Sequence, residues 1–334
     1  MAIFKVMTWN LENLLRLGSE SEPKAQMEFT QKLKSLANVI LELDPDVLAV
    51  QEVGGKEPFD DLVNKLHRRY PHFQLSNQPD RRGIRVGFMS KLAIEDSEDI
   101  VDFPQAGLPS VPGIDREGNF ISVTRLSRGA LRIIVKPKPN FSVQLVTAHL
   151  KSKLLTFPSQ SGNSRFTTDD EDERARIAGI ALLQRTAEAV ALRIKANELL
   201  KRNPDDALIV LGDLNDVTDA ATTQILQGSP GSEIGTRGFN QSDSGDKARL
   251  FNLAPLIPQE RRFSRRFKGN GELIDHILVS EELLPGQPRR VPEVDSHVDA
   301  VGSIPSISDD PNERQGQPGS DHAPITARFD LSEF

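Results

Sequence analysis

Hydrophobic residues in this chain follow two rhythms, and the points where one gives way to the other predict its elements. Short apolar runs at IFKVM (Ile3 to Met7), DVLAV (Asp46 to Val50), SVQLV (within Phe141 to Thr147) and ALIVL (Ala207 to Leu211) read as buried strands, as do Ile84 to Ser90, Ala130 to Lys136 and Ile277 to Val279. Between the first two runs, Phe29, Leu33, Leu36, Ile40 and Leu43 recur at spacings of four and three, which predicts an amphipathic helix over 24–43. Asp44-Pro45 stops it, because proline disfavours helical geometry in the residue before it. A second helix is predicted over Phe59 to Arg69, with Phe59, Leu62, Val63 and Leu66 facing inward. A long third helix opens on the acidic run DDEDE, where carboxylates complement the helix dipole. Its apolar stripe reads as Ile180, Leu183, Ala187, Val190 and Ile194, and Asn203-Pro204 closes it.

Three segments, 102–118, 154–170 and 285–319, show no period, and the last holds six prolines. They read as long loop insertions, of the kind that shape sites. No internal repeat is present.

The apolar runs do not end at random. TWNLEN (Thr8 to Asn13), QEV (Gln51 to Val53), TAHLKSK (Thr147 to Lys153) and LGDLND (Leu211 to Asp216) each follow one, and IDH (Ile274 to His276) and SDH (Ser320 to His322) complete the set. If residues 10 and 322 serve one site, the first and last strands are neighbours, and the expectation is one domain over 1–334.

Composition narrows the chemistry. With no cysteine among 334 residues there is no disulfide, thiolate metal site or thiol nucleophile, so oxygen and imidazole groups carry the reaction. No stretch approaches the roughly 20 apolar residues that cross a bilayer, and the N-terminus lacks a signal-peptide pattern, so the expected location is cytoplasmic. The net charge of -7 argues against a general nucleic-acid coat but permits local basic patches. Nothing in the chain asks for an obligate protein partner.

Asn10, Glu12, Glu52 and Asp321 are hard oxygen donors suited to Mg2+ or Mn2+. A lone Glu is usually a solvated strand end, but four such groups in this arrangement make that coincidence poor. His149 and His322 add proton transfer or a cationic contact near neutral pH, with Asp275 a natural partner for one imidazole. No serine lies in a nucleophile-elbow pattern, so the nucleophile is water, and the set describes metal-assisted phosphoester hydrolysis with an Asp activating that water. His67, His72 and His297 sit in poorly patterned surroundings and read as surface residues.

The six clusters, in this order and spacing over Thr8 to Ile325, resemble the endonuclease/exonuclease/phosphatase family. Each motif alone is weak and the ordered set is specific. The resemblance implies an α+β fold, a four-layer α/β/β/α sandwich of two mostly antiparallel sheets with flanking helices. Carried over by position, it implies that Asn10 and Glu52 bind the metal, one or two ions, with Asp321 near it. Glu12, also expected among the metal ligands, stands where many members have Asp, a departure whose longer side chain is expected to shift or soften a second metal site. Asp213 orients or deprotonates the water, His149 and Asn215 contact the phosphate, and Asp275 supports His322.

The HLKSK form of the histidine motif is closer to bacterial extracellular nucleases of this family, and Lys151 and Lys153 suit any phosphate. Two basic clusters, Arg81, Arg82 and Arg85 and the stretch RRFSRRFKG at Arg261 to Gly269, offer further contacts; the competing reading is a solvated hairpin whose phenylalanines face the core while the arginines face water. The expected substrate is nucleic acid, contacted by Asn10, Arg85, Lys151 and Asn215. The alternative is a phosphatase or phosphodiesterase of small or lipid-derived phosphoesters, and a binding module with a degenerate site is the third reading, disfavoured by the intact polar set.

Overall fold

The first strand, β1 (Ile3–Leu14), runs through the whole TWNLEN cluster rather than ending before it. It lies parallel to β2 (Val47–Val53), and α1 (Pro23–Leu43) makes the crossover between them. The structure, a computed structural model, describes residues 3–16, 23–108, 110–115, 118–158, 165–202, 205–241, 243–300, 302–314 and 316–332. After β2 come α2 (Lys56–Lys65), β3 (His72–Leu75), β4 (Arg85–Ser90), β5 (Asp96–Asp102), β6 (Val111–Ile114), β7 (Phe120–Val123), β8 (Arg125–Lys138) and β9 (Phe141–His149). A second parallel crossover follows: α3 (Glu171–Arg202) leads from β9 into β10 (Ala207–Asp213). The chain continues through α4 (Ala221–Gln227), β11 (Phe251–Asn252), β12 (Arg265–Phe267), β13 (Asn270–Glu272), β14 (Asp275–Val279), β15 (Glu293–Ser296), β16 (Ser306–Ile307) and β17 (Ile325–Asp330).

Two six-stranded sheets result, ordered β15-β17-β1-β2-β4-β3 and β11-β14-β10-β9-β8-β5. Each is antiparallel except for its one parallel pair, β1/β2 and β9/β10. The ends of the chain meet in the first sheet, where Ile3 pairs with Asp330 and Thr8 with Ile325.

Strand periodicity sorts the apolar side chains into three layers of core. Phe4, Val6, Val47, Ala49, Val86 and Phe88 of one sheet face Leu131, Ile133, Leu145, Ile209, Leu211 and Ile277 of the other. The opposite face of the first sheet packs Met7, Trp9, Leu48 and Val50 on α1 and α2, and that of the second packs Val146, Ala148, Leu208 and Val210 on α3. This is the α/β/β/α sandwich the resemblance implied.

Several expectations need correcting. Residues 102–118 are not a plain loop, since β6 lies there and forms a hairpin with β7, its Val111 and Val123 packed on the α3 layer; four-residue strands rich in Pro and Gly carry too little alternation to be read. Residues 285–319 likewise contain β15, which edges the first sheet against β17, and β16, which pairs with β12. Part of 154–170 and the Asn203-Pro204 stop lie outside the described residues. The second helix begins at Lys56 and ends at Lys65, because His67 and Arg68 adopt left-handed φ values of 52° and 58°.

The stripe on α3 is also different. Of the expected stripe Ala187 is buried, but Leu183 and Ile194 are 48% and 41% exposed, and the rest of the buried face is built on Ile177, Ala181, Arg185, Glu188, Leu192, Ala196 and Leu199. Small alanines and two charged residues occupy that face, so apolar bulk misidentifies it. The acidic start holds: α3 opens at Glu171, and the Asp170 carboxylate accepts the N–H groups of Asp172 and Glu173 at 3.0 Å.

Candidate active site

Strand register brings the first three site residues together. In the second sheet Asp213 at the end of β10 stands opposite His149 on β9 and opposite Asp275 on β14. One row across three strands thus carries a carboxylate, an imidazole and a second carboxylate on a common face. The parallel pair in the first sheet ends at the same edge with Asn10 and Glu52. The Asn10 amide donates to Asp213 Oδ2 at 2.9 Å, bridging the sheets, and to Glu52 Oε1 at 3.3 Å. Below this bridge Gln51 donates to Thr147 Oγ1 of the facing sheet at 3.0 Å.

The C-terminal tripeptide is built into this edge. Ser320 Oγ donates to Asn10 O at 2.6 Å and accepts the His322 N–H at 3.0 Å, while the Trp9 indole donates to His322 O at 2.8 Å. His322 is thereby held with Nδ1 2.6 Å from Asp275 Oδ2 and Nε2 4.0 Å from Asp213 Oδ2. His149 Nε2 approaches the same Asp213 oxygen at 3.4 Å and Glu52 Oε1 at 3.8 Å. Asp213 Oδ2 is the point on which Asn10, His149 and His322 converge.

Burial and charge set distinct protonation states. Burial, then the neighbouring Asp275 carboxylate, pushes Asp213 up to about 7. Burial opposes charge on His322, but Asp275, Asp321 and Asp213 outweigh it and raise the imidazole to about 10. His149 goes the other way: burial, with Arg128 and Arg82 nearby, drives it well below the ordinary histidine value, so it is neutral. One imidazole is cationic and the other neutral across a single carboxyl group.

The backbone here is held out of its usual regions. Glu12, Asn13, Glu52 and Asn215 have φ of 48°, 51°, 62° and 54°, left-handed values that cost side-chain-bearing residues roughly 1–3 kcal/mol each and concentrate at functional sites. Gly212, at φ 147°, is required sterically, since a Cβ there would lie 2.0 Å from Ala148 O.

The remaining sequence candidates are placed as follows. Asn215 is buried, with Nδ2 donating to Leu150 O at 3.0 Å and its N–H to Asp213 Oδ1 at 2.9 Å. Lys151 follows His149, half-buried, its N–H given to Glu188 Oε2 at 2.6 Å. Burial and Arg128 lower its ammonium to about 8. Arg85 opens β4 opposite Val53, with a buried Nε that finds no hydrogen bond. Glu12 is bound by Arg314 at 2.7 and 2.9 Å and accepts the Asp321 N–H at 2.9 Å. His67 and His72 are exposed, but His297 is not a surface residue: it is largely buried and its Nε2 lies 2.8 Å from Thr326 Oγ1.

The RRFSRRFKG stretch forms the β12/β13 hairpin, and its cations are mostly spent internally. Arg261 pairs with Asp295 and Asp299, Arg265 with Glu272 and Lys268 with Asp309, while Arg266 stacks on Phe263 at 4.4 Å. Sequence reading missed Arg128, buried on β8, which donates to Leu150 O at 3.1 Å and lies 3.3 Å from Asp80. It missed Arg185 and Glu188 too, which hold the loop after His149 from α3. Their signal was available: charged residues at helical spacing among alanines.

The donor set fits a hard divalent cation. Glu52 and Asp213 offer carboxylate oxygens at one sheet edge, where the Asn10 amide faces both while its Oδ1 accepts the Glu12 N–H at 2.9 Å, and Asp213, Asp275 and His322 form a buried group close enough to share an ion. Asp275 Oδ1 and His149 Nδ1 are buried without a hydrogen-bond partner.

The family model described as Endonuclease/Exonuclease/phosphatase family matches residues 7–322. The chain belongs to this family. Its enzymes hydrolyse phosphoester bonds and use divalent metals, and the chain is a phosphoester hydrolase in that sense. No curated protein sequence matches it closely enough to add a relative.

Solved structures of the endonuclease/exonuclease/phosphatase type share its fold. Truncated TDP2 from Caenorhabditis elegans is similar at 16% identity and TM-score 0.54, over 98% of this chain and 97% of that one. A humanized D. rerio TDP2 gives 15% and 0.57, over 99% and 100%. ANGEL2, described as a 2',3'-cyclic phosphatase, gives 13% and 0.57, over 98% and 95%. At these identities the likeness speaks to architecture. Among the described residues no helix is long and apolar enough to cross a membrane.

Proposed function

We propose that this family member is a metal-dependent nuclease that cleaves phosphodiester bonds of nucleic acid by in-line attack of water. The observation that carries the reading is Asp213 Oδ2, with Asn10 at 2.9 Å, His149 Nε2 at 3.4 Å and the Asp275-paired His322 at 4.0 Å. Asn10 and Glu52, with Glu12 and Asp321 as the further candidates, would hold magnesium or manganese, which would supply charge neutralisation at the phosphate oxygens.

The chain's own groups do the rest. Asp213, raised to about 7, accepts the proton of the attacking water with useful basicity near neutrality. The His322 cation, oriented by Asp275, stabilises charge on the phosphoryl oxygens. Neutral His149 donates a hydrogen bond to the phosphate, and Asn215 orients Asp213 through its N–H. Lys151 and Arg82, both close enough to act on His149, would form a cationic flank for a polyanion, with Asp80 shared between Arg82 and the buried Arg128, and Arg85, at the start of β4, is the further candidate contact.

The acidic total charge favours the second reading, hydrolysis of small or lipid-derived phosphoesters. A substrate panel separates the two: plasmid, single-stranded DNA, RNA, a 2',3'-cyclic nucleotide and a phospholipid headgroup ester, each with Mg2+, Mn2+ or Ca2+, and with Asp213→Asn as blank. Cleavage of nucleic acid by wild type alone supports the nuclease. Intact nucleic acid beside turnover of a small ester replaces it with the second reading.

A further inference from the structure

The Glu12 carboxylate is already satisfied by the protein. Arg314, from the segment leading to Ser320, grips it with Nε at 2.7 Å from Oε1 and Nη2 at 2.9 Å from Oε2. Asp321 N–H donates to Oε2 at 2.9 Å, and Lys32 Nζ lies 4.0 Å from the same oxygen while donating to Gly319 O at 2.6 Å. All three side chains are largely buried, at 13%, 18% and 13% exposure for Glu12, Arg314 and Lys32. A two-point guanidinium–carboxylate contact of this kind is among the stronger ion pairs and has a fixed planar geometry.

Charge balance follows from these neighbours. Glu12 and Asp321 contribute two negative charges to this side of the site, and Lys32 and Arg314 contribute two positive ones, so this half is neutral without any ion. Glu52 and Asp213, on the other side of Asn10, have no lysine or arginine within ion-pair distance among the described residues.

We infer that Arg314 and Lys32 take the place of a second metal ion at Glu12, so that the site binds a single divalent cation, on the Glu52 side, and Glu12 anchors the C-terminal segment that carries Asp321 and His322. The inference rests on the metal-dependent reading above and specifies its stoichiometry. Arg314 is then a positioning residue: it reaches the site through Glu12 and leaves substrate contacts to the opposite flank.

The test is Mn2+ binding to the metal-stripped full chain, counted by electron paramagnetic resonance of free Mn2+ and checked calorimetrically, with circular dichroism confirming the fold of each variant. Wild type should bind one Mn2+. Glu12→Gln should still bind one, with Kd changed by less than about threefold, whereas Glu52→Gln should weaken it at least about tenfold. Arg314→Ala, which frees Glu12, should acquire a second, weaker Mn2+ that Glu12→Gln/Arg314→Ala lacks. Two Mn2+ in wild type, one of them lost in Glu12→Gln, overturns the inference while leaving the hydrolase reading intact. If Arg314→Ala does not fold, the wild-type and Glu12→Gln counts decide alone. No Mn2+ on wild type overturns the metal-dependent reading itself.

Discussion

His322 Nδ1 sits 2.6 Å from Asp275 Oδ2, and this contact joins the last segment of the chain to a strand of the opposite sheet. The carboxylate can only accept, so the ring donates from Nδ1 and turns Nε2 toward Asp213. His322→Ala should lower kcat by about 10²–10³-fold, the range for losing one charge-stabilising contact in the transition state. Asp275→Asn should cost a similar factor with the fold kept. Steady-state kinetics with thermal melts of both variants checks this, and near-wild-type kcat in either removes His322 from the mechanism.

Lys151 predicts a pH dependence of binding. Its ammonium is lowered from 10.5 to about 8 by burial first and by Arg128, with Arg185 and Arg82 adding to the effect and Glu188 opposing it. Above pH 8 the free enzyme loses a positive charge that attracts phosphate, so kcat/KM for a polyanionic substrate should fall as pH rises through that value. Lys151→Arg, which stays charged, should flatten this limb. For stability the sign is opposite: the unfolded chain binds more protons between about 8 and 10.5, so Lys151 makes folding more favourable as pH rises through that window.

Gly212→Ala should be strongly destabilising for its size. The added methyl would lie 2.0 Å from Ala148 O at a φ of 147°, so β9 and β10 must separate where His149 faces Asp213. Overpacking and an incompatible backbone together predict a loss of about 2 kcal/mol or more. Urea denaturation measures it, and a midpoint equal to wild type would show that the two strands are not tightly apposed.

Far from the site, Asp44 should dominate part of the acid response. Its carboxylate meets Arg69 at 2.7 Å and Lys91 at 2.8 Å, and the hydrogen bond from Arg69 leads the causes that hold it down to about 2. A depressed carboxylate stabilises the fold above its ordinary value near 4 and loses that contribution as pH falls toward 2. The urea midpoints of wild type and Asp44→Asn should therefore differ at pH 6 and converge between pH 4 and 2. Because Asp44 is partly exposed, salt should also narrow the gap.

Much of this arrangement was legible along the chain. The four apolar runs IFKVM, DVLAV, SVQLV and ALIVL lie in β1, β2, β9 and β10, because burial on both faces demands continuous hydrophobicity that few loops show. The α1 stripe was legible because a single apolar face meets a sheet. On α3 the same logic finds Ala187 but misplaces Leu183 and Ile194, since the buried side holds mainly alanines and the pair Arg185 and Glu188, whose burial is tolerated only because neighbouring segments satisfy them. Hairpin β6/β7 was invisible because four-residue strands have too few positions to set a period.

The sequence by itself determined which groups can do chemistry: hard oxygen donors and two imidazoles at strand ends, no thiol, and an order of motifs specific to one family. Tertiary structure alone decided their states and partners. Only the register of β9, β10 and β14 puts His149 and Asp275 on either side of Asp213, and only the folded surroundings separate the imidazoles: burial with Arg128 and Arg82 keeps His149 neutral, while Asp275, Asp321 and Asp213 outweigh burial and keep His322 cationic. Likewise, nothing local to Glu12 foretells that Arg314 will reach it across 302 residues. Protonation and ion pairing depend on distances through space, which a linear pattern does not contain.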